Sequence, residues 1–257
     1  MSSFKDLTME QLSSYIMNLE KVTPELEAAL QQDGRKGAQK LISKRRRMEK
    51  RKQVEHNRLE KMLVEEKLLW ENGFRYIAGI DEAGRGPLAG PVVAAAVILR
   101  PGAGITGLND SKKLTAEKRR MLYEEIIVNA LSYGLGSATK SEIDSLNIHK
   151  ASFLAMKRAL ERLSCKPEYI LVDGFTMPES PCAQKALVGG DGLSLSIAAA
   201  SVLAKVARDM MMQKLDEQYP GYGFSRNMGY GTEEHRNALN RLGPCPEHRV
   251  TFRLKYD

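Results

Sequence analysis

Ile77-Ala78-Gly79-Ile80-Asp81-Glu82-Ala83-Gly84-Arg85-Gly86-Pro87 is an apolar run that ends in two adjacent carboxylates and a glycine-flanked arginine. Strand side chains alternate between faces, so such a run can be buried while its end delivers an acid to a cleft. Hard divalent cations take oxygen ligands, which paired carboxylates supply. Glycine lets a backbone approach a ligand closely, and the planar fork of arginine matches phosphate. Acid, metal and phosphate together suggest phosphoryl-transfer chemistry.

The pattern returns twice further along the chain. Asp173 follows Tyr169-Ile170-Leu171-Val172 and precedes Gly174; Asp191 follows Ala186-Leu187-Val188-Gly189-Gly190 and precedes Gly192. Taken singly, Asp173-Gly174 reads as an ordinary turn, and Asp191 as the cap of a helix opening near Leu193. Three strand-end aspartates beside Glu82 point instead to a shared cation. Carboxylates that converge in one cleft repel, and either a proton or a metal must relieve them. Mg²⁺ suits an acid-only set, being held by one or two carboxylates plus substrate phosphate and water. Zinc prefers His and Cys, and the four histidines show no HExxH or similar spacing.

Outward from these acids, apolar runs alternate with helical patterns. Strands are expected at 74–80, 92–99, 133–139, 169–172 and 186–188, and helices at 113–130, 141–144, 148–163, 193–215 and 233–242. The alternation makes 73–257 an α/β domain with helices covering a sheet. Residues 1–72 differ. Thr8-Met9-Glu10-Gln11 is a capping box, and Thr23-Pro24 pairs an N-cap with a proline at the first helical position. One long charged helix is expected over 37–70, which makes 1–72 an all-helical basic extension. Eight of the 13 residues from Lys40 to Lys52 are basic, with Glu49 the one acid among them. Such a cluster is either a solvated helix face or a phosphate-contacting surface. The stripe Leu59, Met62, Leu63, Leu69 and Trp70 reads as packing against the next domain.

The bulk properties narrow the class. The 257 residues carry a formal net charge of +7, which favours polyanion partners. No apolar run approaches the roughly 20 residues of a membrane span, so no membrane association is expected. The first residues lack the apolar core of a signal peptide. Three cysteines without metal-type spacing, Cys165, Cys182 and Cys245, read as free thiols of a cytoplasmic protein.

The chain resembles bacterial ribonuclease HII. The resemblance is carried by Asp81 to Val93, Asp110-Ser111-Lys112-Lys113-Leu114, Val172-Asp173-Gly174, Gly190-Asp191, Ala198-Ala199-Ala200-Ser201 with Lys205 and Arg208-Asp209, Tyr219 to Gly223, Gly229-Tyr230-Gly231-Thr232 with His235, and His248-Arg249 with Phe252. It implies an α/β RNase H-like fold: a mixed five-stranded sheet flanked by helices, with a helical C-terminal part. It implies hydrolysis of RNA paired or joined to DNA, cutting 5′ of the ribonucleotide–deoxyribonucleotide junction, single embedded ribonucleotides included, to give 3′-hydroxyl and 5′-phosphate ends. Two ions of Mg²⁺ or Mn²⁺ would be held by Asp81, Glu82, Asp173 and Asp191. Gly84, Arg85 and Gly86 would contact the ribonucleotide, and Tyr230 would stack on the next deoxyribose. Lys112, Lys113, Lys205 and Arg208 become candidates for phosphate contact, and His235 and His248 for structural hydrogen bonding. The sister family, ribonuclease HIII, carries a sheet-containing N-terminal domain and departs from the Ala83–Pro87 loop. The expected partners are RNA–DNA hybrid and DNA duplex containing ribonucleotides, with the protein a monomer. The extension over 1–72 is this chain's own departure; it adds nucleic-acid affinity or binds a protein partner.

Overall fold

The computed structural model describes residues 7–19 and 21–252; the N-terminal stretch read for a signal peptide begins outside them. The chain divides into two compact units, Met1–Glu60 and Lys61–Asp257.

The first unit is helical. The helix α1 (Met9–Asn18) opens with the capping box: Gln11 N–H donates to Thr8 Oγ1 at 3.3 Å, and Thr8 N–H to Gln11 Oε1 at 3.0 Å. α2 (Pro24–Gln31) is capped by Thr23, and α3 spans Lys36–Met62. Leu12, Ile16, Leu26, Leu30, Ala38 and Ile42 form its core. The basic cluster is not one surface. Arg45 is buried, donates to the Leu19 carbonyl and pairs with Glu49 at 3.4 Å, while Arg46 pairs with Glu27. Lys40, Lys44, Arg47, Lys50, Arg51 and Lys52 are exposed.

The single helix expected over 37–70 is broken at Leu63, and α4 (Val64–Glu71) follows as a separate element. Tertiary bonds outweigh helix continuity here. Glu66 Oε1 accepts from Ser194 Oγ at 2.6 Å, Ser196 N–H at 3.0 Å and Ser196 Oγ at 2.7 Å, and Lys185 Nζ reaches Glu65 at 2.7 Å.

The second unit is built on a mixed five-stranded sheet of order β3-β2-β1-β4-β5. Its strands are β1 (Ile77–Ala83), β2 (Val92–Leu99), β3 (Ala130–Ala138), β4 (Tyr169–Asp173) and β5 (Ala183–Leu187). β1 pairs antiparallel with β2 and parallel with β4. The first strand was expected to stop at residue 80; it continues through Asp81 and Glu82 because the β2 ladder continues, pairing Asp81 with Ala95 and Glu82 with Ala94. The helices are α5 (Ala116–Asn129), α6 (Lys140–Leu146), α7 (Ile148–Glu161), α8 (Leu195–Gln218), α9 (Phe224–Asn227) and α10 (Glu233–Leu242). Ala78, Ile80, Ala94 and Ala96 bury one face of the sheet with Ala155 and Ala159 of α7. The other face lies under α8, and contact is closest at Gly79, where an added Cβ would fall 2.1 Å from the Ser196 carbonyl carbon. Glycine is obligatory there for lack of space. α9 and α10 supply the helical C-terminal part, packed around Met212, Tyr222 and Phe224. Among the described residues no helix is long and apolar enough to cross a membrane.

Candidate metal centre and its flanking loop

The ladder sets the acids. Ile80 of β1 pairs with Val172 of β4 in parallel register, so Asp81 and Asp173 emerge side by side from adjacent strands. Asp81 shares the face of Gly79, and Asp173 that of Leu171, which packs with Ile197 of α8; both carboxylates therefore lie on the α8 side. Asp81 is 6% exposed, accepts the Glu82 N–H at 2.7 Å and hydrogen-bonds Ser201 of α8. The Ser201 hydroxyl meets that of Ser111 at 2.9 Å. Asp173 Oδ1 accepts the Gly190 N–H at 2.7 Å. This ties β4 to the 3-10 turn Gly190–Gly192 that carries Asp191. Ser194 N–H closes on Gly190 O at 2.8 Å, and Glu66 holds Ser194 from below.

The electrostatics are those of crowded carboxylates. Burial holds the Asp81 carboxyl well above its ordinary value, with the Glu82 and Asp173 charges adding to the effect. Burial also raises Glu82, against the pull of Arg85, and raises Asp191 together with the charges of Asp110 and Asp173. Burial pulls the Lys112 ammonium down, but Asp191, Asp110, Asp81 and Asp173 outweigh it and leave it raised. Lys112 is therefore the cation set against the cluster. Asp110 is a further carboxyl of this site that the sequence reading had only as part of a motif; its neighbours in sequence, Ser111 and Lys112, were the signal.

Among the described residues no three His, Cys, Asp or Glu side chains form a ready-made metal cage. An open, acid-only donor set nevertheless fits Mg²⁺ or Mn²⁺, which complete their shells with water and substrate phosphate. Mutual repulsion of buried carboxylates is what a divalent cation relieves. The residues present fit such an ion.

The glycine-flanked loop adjoins the acids. Gly84 adopts φ +98°, and a Cβ there would fall 2.1 Å from Arg208 Nε. The Arg85 side chain turns back on the centre, with Nη1 3.0 Å from Glu82 Oε1 and Nη2 3.5 Å from His149 Nδ1. Two buried arginines brace the backbone. Arg249, 0% exposed, donates to Gly84 O at 2.6 Å, Arg85 O at 3.0 Å and Gly90 O at 3.0 Å. Burial, then the nearby Arg208, lowers its guanidinium to about 9, so it stays charged at neutral pH. Arg208, 1% exposed, donates to Pro91 O at 3.0 Å, Met228 O at 2.9 Å and Ala89 O at 3.2 Å. Tyr230 stands over the loop: it is 45% exposed, and a Cβ on Gly86 would lie 3.7 Å from its ring.

The structure thus brings together Asp81, Glu82, Asp173, Asp191 and Lys112, and beside them Gly84, Arg85, Gly86 and Tyr230. It places the remaining basic residues differently. Lys113 is exposed and 3.8 Å from Asp110. Lys205 pairs with Asp209 at 2.6 Å along α8. Arg208 faces inward onto carbonyl oxygens, where burial lowers its pKa; no sequence signal marks such a brace, because arginine is almost never fully buried. Arg249 escaped assignment for the same reason.

Two family models match the chain: Ribonuclease HII over residues 78–257, and Ribonuclease HII N-terminal domain over residues 8–70, so the extension expected to be this chain's own departure is a domain described for the family. Curated relatives named Ribonuclease HII include one from Desulfitobacterium hafniense strain Y51, 52% identical over 93% of this chain and 92% of its own. Another, from Geobacillus sp. strain WCH70, is 46% identical over 95% of this chain and 88% of its own. Among solved structures, the ribonuclease H2 of Pyrococcus horikoshii OT3 superposes with a TM-score of 0.60 at 28% identity, covering 69% of this chain and 94% of that one. The Archaeoglobus fulgidus RNase HII, described in complex with PCNA, gives 0.60 at 26%, covering 71% and 97%.

Proposed function

The chain belongs to the ribonuclease HII family, and from that premise we propose that it hydrolyses the RNA strand of RNA–DNA hybrids and cuts 5′ of ribonucleotide–deoxyribonucleotide junctions. Its substrates include DNA carrying single ribonucleotides, and its products have 3′-hydroxyl and 5′-phosphate ends. The observation that carries the reading is the adjacency of two devices: the crowded carboxylates at Asp81 and Asp173, and the braced loop facing Tyr230.

Asp81, Glu82, Asp173 and Asp191 would hold two divalent cations in the active complex, Mg²⁺ or Mn²⁺. When bound, such ions lower the pKa of water and stabilise charge on the departing 3′-oxygen. The chain does the rest. β1 and β4 fix the spacing of Asp81 and Asp173, and the Gly190 N–H orients Asp173. Lys112 faces the acid cluster from the loop before α5 and offers a charge to the phosphate. The backbone of Gly84, Arg85 and Gly86 reads the ribose 2′-hydroxyl, which separates RNA from DNA. Tyr230 stacks on the following deoxyribose. Lys113 and Lys205 would contact phosphate, whereas Arg208 serves the backbone.

The division of labour is 73–257 for catalysis, braced by Glu66 of α4, and the rest of 1–72 for added affinity, through the exposed cations of α3. The cellular setting is cytoplasmic, in keeping with three free thiols. The test compares a duplex carrying one embedded ribonucleotide with a uniform RNA–DNA hybrid, in Mg²⁺ and in Mn²⁺. Cleavage at the single ribonucleotide, lost in EDTA, is expected; cleavage of neither substrate, or full activity in EDTA, would sink the reading.

A further inference from the structure

The carbonyl oxygens of Gly84 and Arg85 both point at the Arg249 guanidinium, at 2.6 and 3.0 Å. A trans peptide is planar, with its C=O and N–H on opposite sides. The same two peptides therefore aim the N–H groups of Arg85 and Gly86 away from Arg249. Neither N–H has a hydrogen-bond partner among the described residues. Gly86 is exposed and stands against the Tyr230 ring. Two successive outward amides are a receptor for one oxygen atom.

The brace is costly, which argues that it does more than fill space. Neither Arg249 nor Arg208 forms an ion pair with a carboxylate among the described residues; carbonyl oxygens alone satisfy them, with the Phe252 ring 4.9 Å from the Arg249 guanidinium carbon. A buried cation held by carbonyls rather than by a directly paired carboxylate is expensive, although the more distant charges of Asp144 and Asp209 favour Arg249 and Arg208. A planar fork of fixed donors, unlike a flexible ammonium, imposes direction on each carbonyl it holds. Arg208 adds register, because it holds Ala89 and Pro91 on one side and Met228 on the other.

We propose that Arg249 is a positioning residue for sugar recognition: by drawing the Gly84 and Arg85 carbonyls inward it aims the Arg85 and Gly86 amides at the ribose 2′-oxygen, while Arg208 sets their distance from Tyr230. This rests on the reading above that the loop contacts the ribonucleotide.

The test measures binding of full-length protein, with Ca²⁺ in place of the catalytic metal, to a DNA duplex carrying one ribonucleotide and to its all-deoxy counterpart. Equal binding by the wild type overturns the loop reading itself, and the proposal with it. Where the wild type prefers the ribonucleotide, Arg249→Lys is expected to lose roughly three- to tenfold of that preference per misdirected amide, with Mn²⁺ affinity by calorimetry unchanged. A folded Arg249→Lys that keeps the full preference overturns the proposal and leaves the loop reading standing. Should Arg249→Lys not fold, amide exchange on the wild type decides. Arg85 and Gly86 N–H are expected to exchange at solvent rates in the free protein and to be protected by the ribonucleotide duplex alone. Slow exchange in the free protein overturns the proposal.

Discussion

The Nε2 atoms of His235 and His248 lie 3.0 Å apart, and both rings are buried. Cys245 N–H donates to His248 Nδ1 at 2.9 Å, which leaves the His248 proton on Nε2 for His235. His235 can then donate from Nδ1 to the Tyr230 carbonyl, 2.9 Å away. The relay needs both rings neutral. Burial, then the His235 charge, lowers His248 to about 4, and burial lowers His235 as well.

A depressed histidine favours the fold above its unfolded pKa and loses that contribution as pH falls. For His248 the window runs from about 6.5 down to about 4, and the full shift corresponds to roughly 3 kcal/mol. Protonation of the raised carboxyls of Asp81, Glu82 and Asp191 acts in the opposite sense as pH falls, so the expected signature in denaturation midpoints is the difference between proteins: the wild type loses more stability between pH 6.5 and 4 than His248→Asn. Glu142, held near 2 chiefly by its hydrogen bond to Arg158, adds loss of stability only from about 4.5 downward. Parallel curves for the two proteins between pH 6.5 and 4 would refute the assignment.

Asp81→Asn should separate stability from activity. A buried carboxylate raised by desolvation and like charge weakens the metal-free fold at neutral pH. Its removal is expected to raise the thermal midpoint in EDTA by about 2–4 °C, roughly 1 kcal/mol. Cleavage should fall by about 10³ or more, with hybrid affinity largely retained. An unchanged or lower midpoint would contradict the crowding of these acids.

Glu66 is buried, with Oε1 accepting from Ser194 and Ser196 and Oε2 unpaired among the described residues. Glu66→Ala removes the acceptor of the Ser196 N–H and of the two serine hydroxyls, which retain as donors only their contact with each other at 3.1 Å, and should cost about 2–3 kcal/mol in chemical denaturation. Because Ser194 also holds Gly190, Mn²⁺ affinity by calorimetry is expected to weaken in the folded fraction. A variant as stable as the wild type would show that α4 does not hold the α8 terminus.

The exposed cations of α3 invite a salt titration. Changing Lys44, Arg47, Lys50 and Arg51 together to Gln should reduce the salt slope of hybrid binding by about 0.9 for each phosphate that is no longer neutralised. An unchanged slope removes substrate binding from this surface and leaves it a protein partner or a stabilising role. Arg45→Gln serves as the contrast, since Arg45 is buried on the Leu19 carbonyl: it should lower stability rather than the slope.

The alternation of strands and helices and the acids at Asp81, Asp173 and Asp191 were legible because apolar period and turn glycines are local signals. The break at Leu63 was not, since the 37–70 pattern stays helical and only Ser194 and Ser196, far along the chain, explain why α4 stands apart. The run of β1 through Glu82 depends on a partner strand, which no local pattern names. Arg208 and Arg249 read as phosphate ligands or as nothing in particular. Their true partners are carbonyl oxygens, a group every residue carries, so sequence cannot mark them. Asp110 lay in plain view within its motif, but its nearness to Asp191 is a matter of loop placement.

The contact between Gly79 and Ser196 has a consequence for folding errors. A strand displaced by one residue turns each side chain to the opposite face. In β1 that slip would exchange Asp81 for Glu82 beneath α8 and send Asp81 toward α7. It would also place Ala78 or Ile80 against the Ser196 backbone, where a Cβ has only 2.1 Å. The absent side chain of Gly79 thus acts as a proofreading notch: only the alignment that presents the correct acid lets the helix seat.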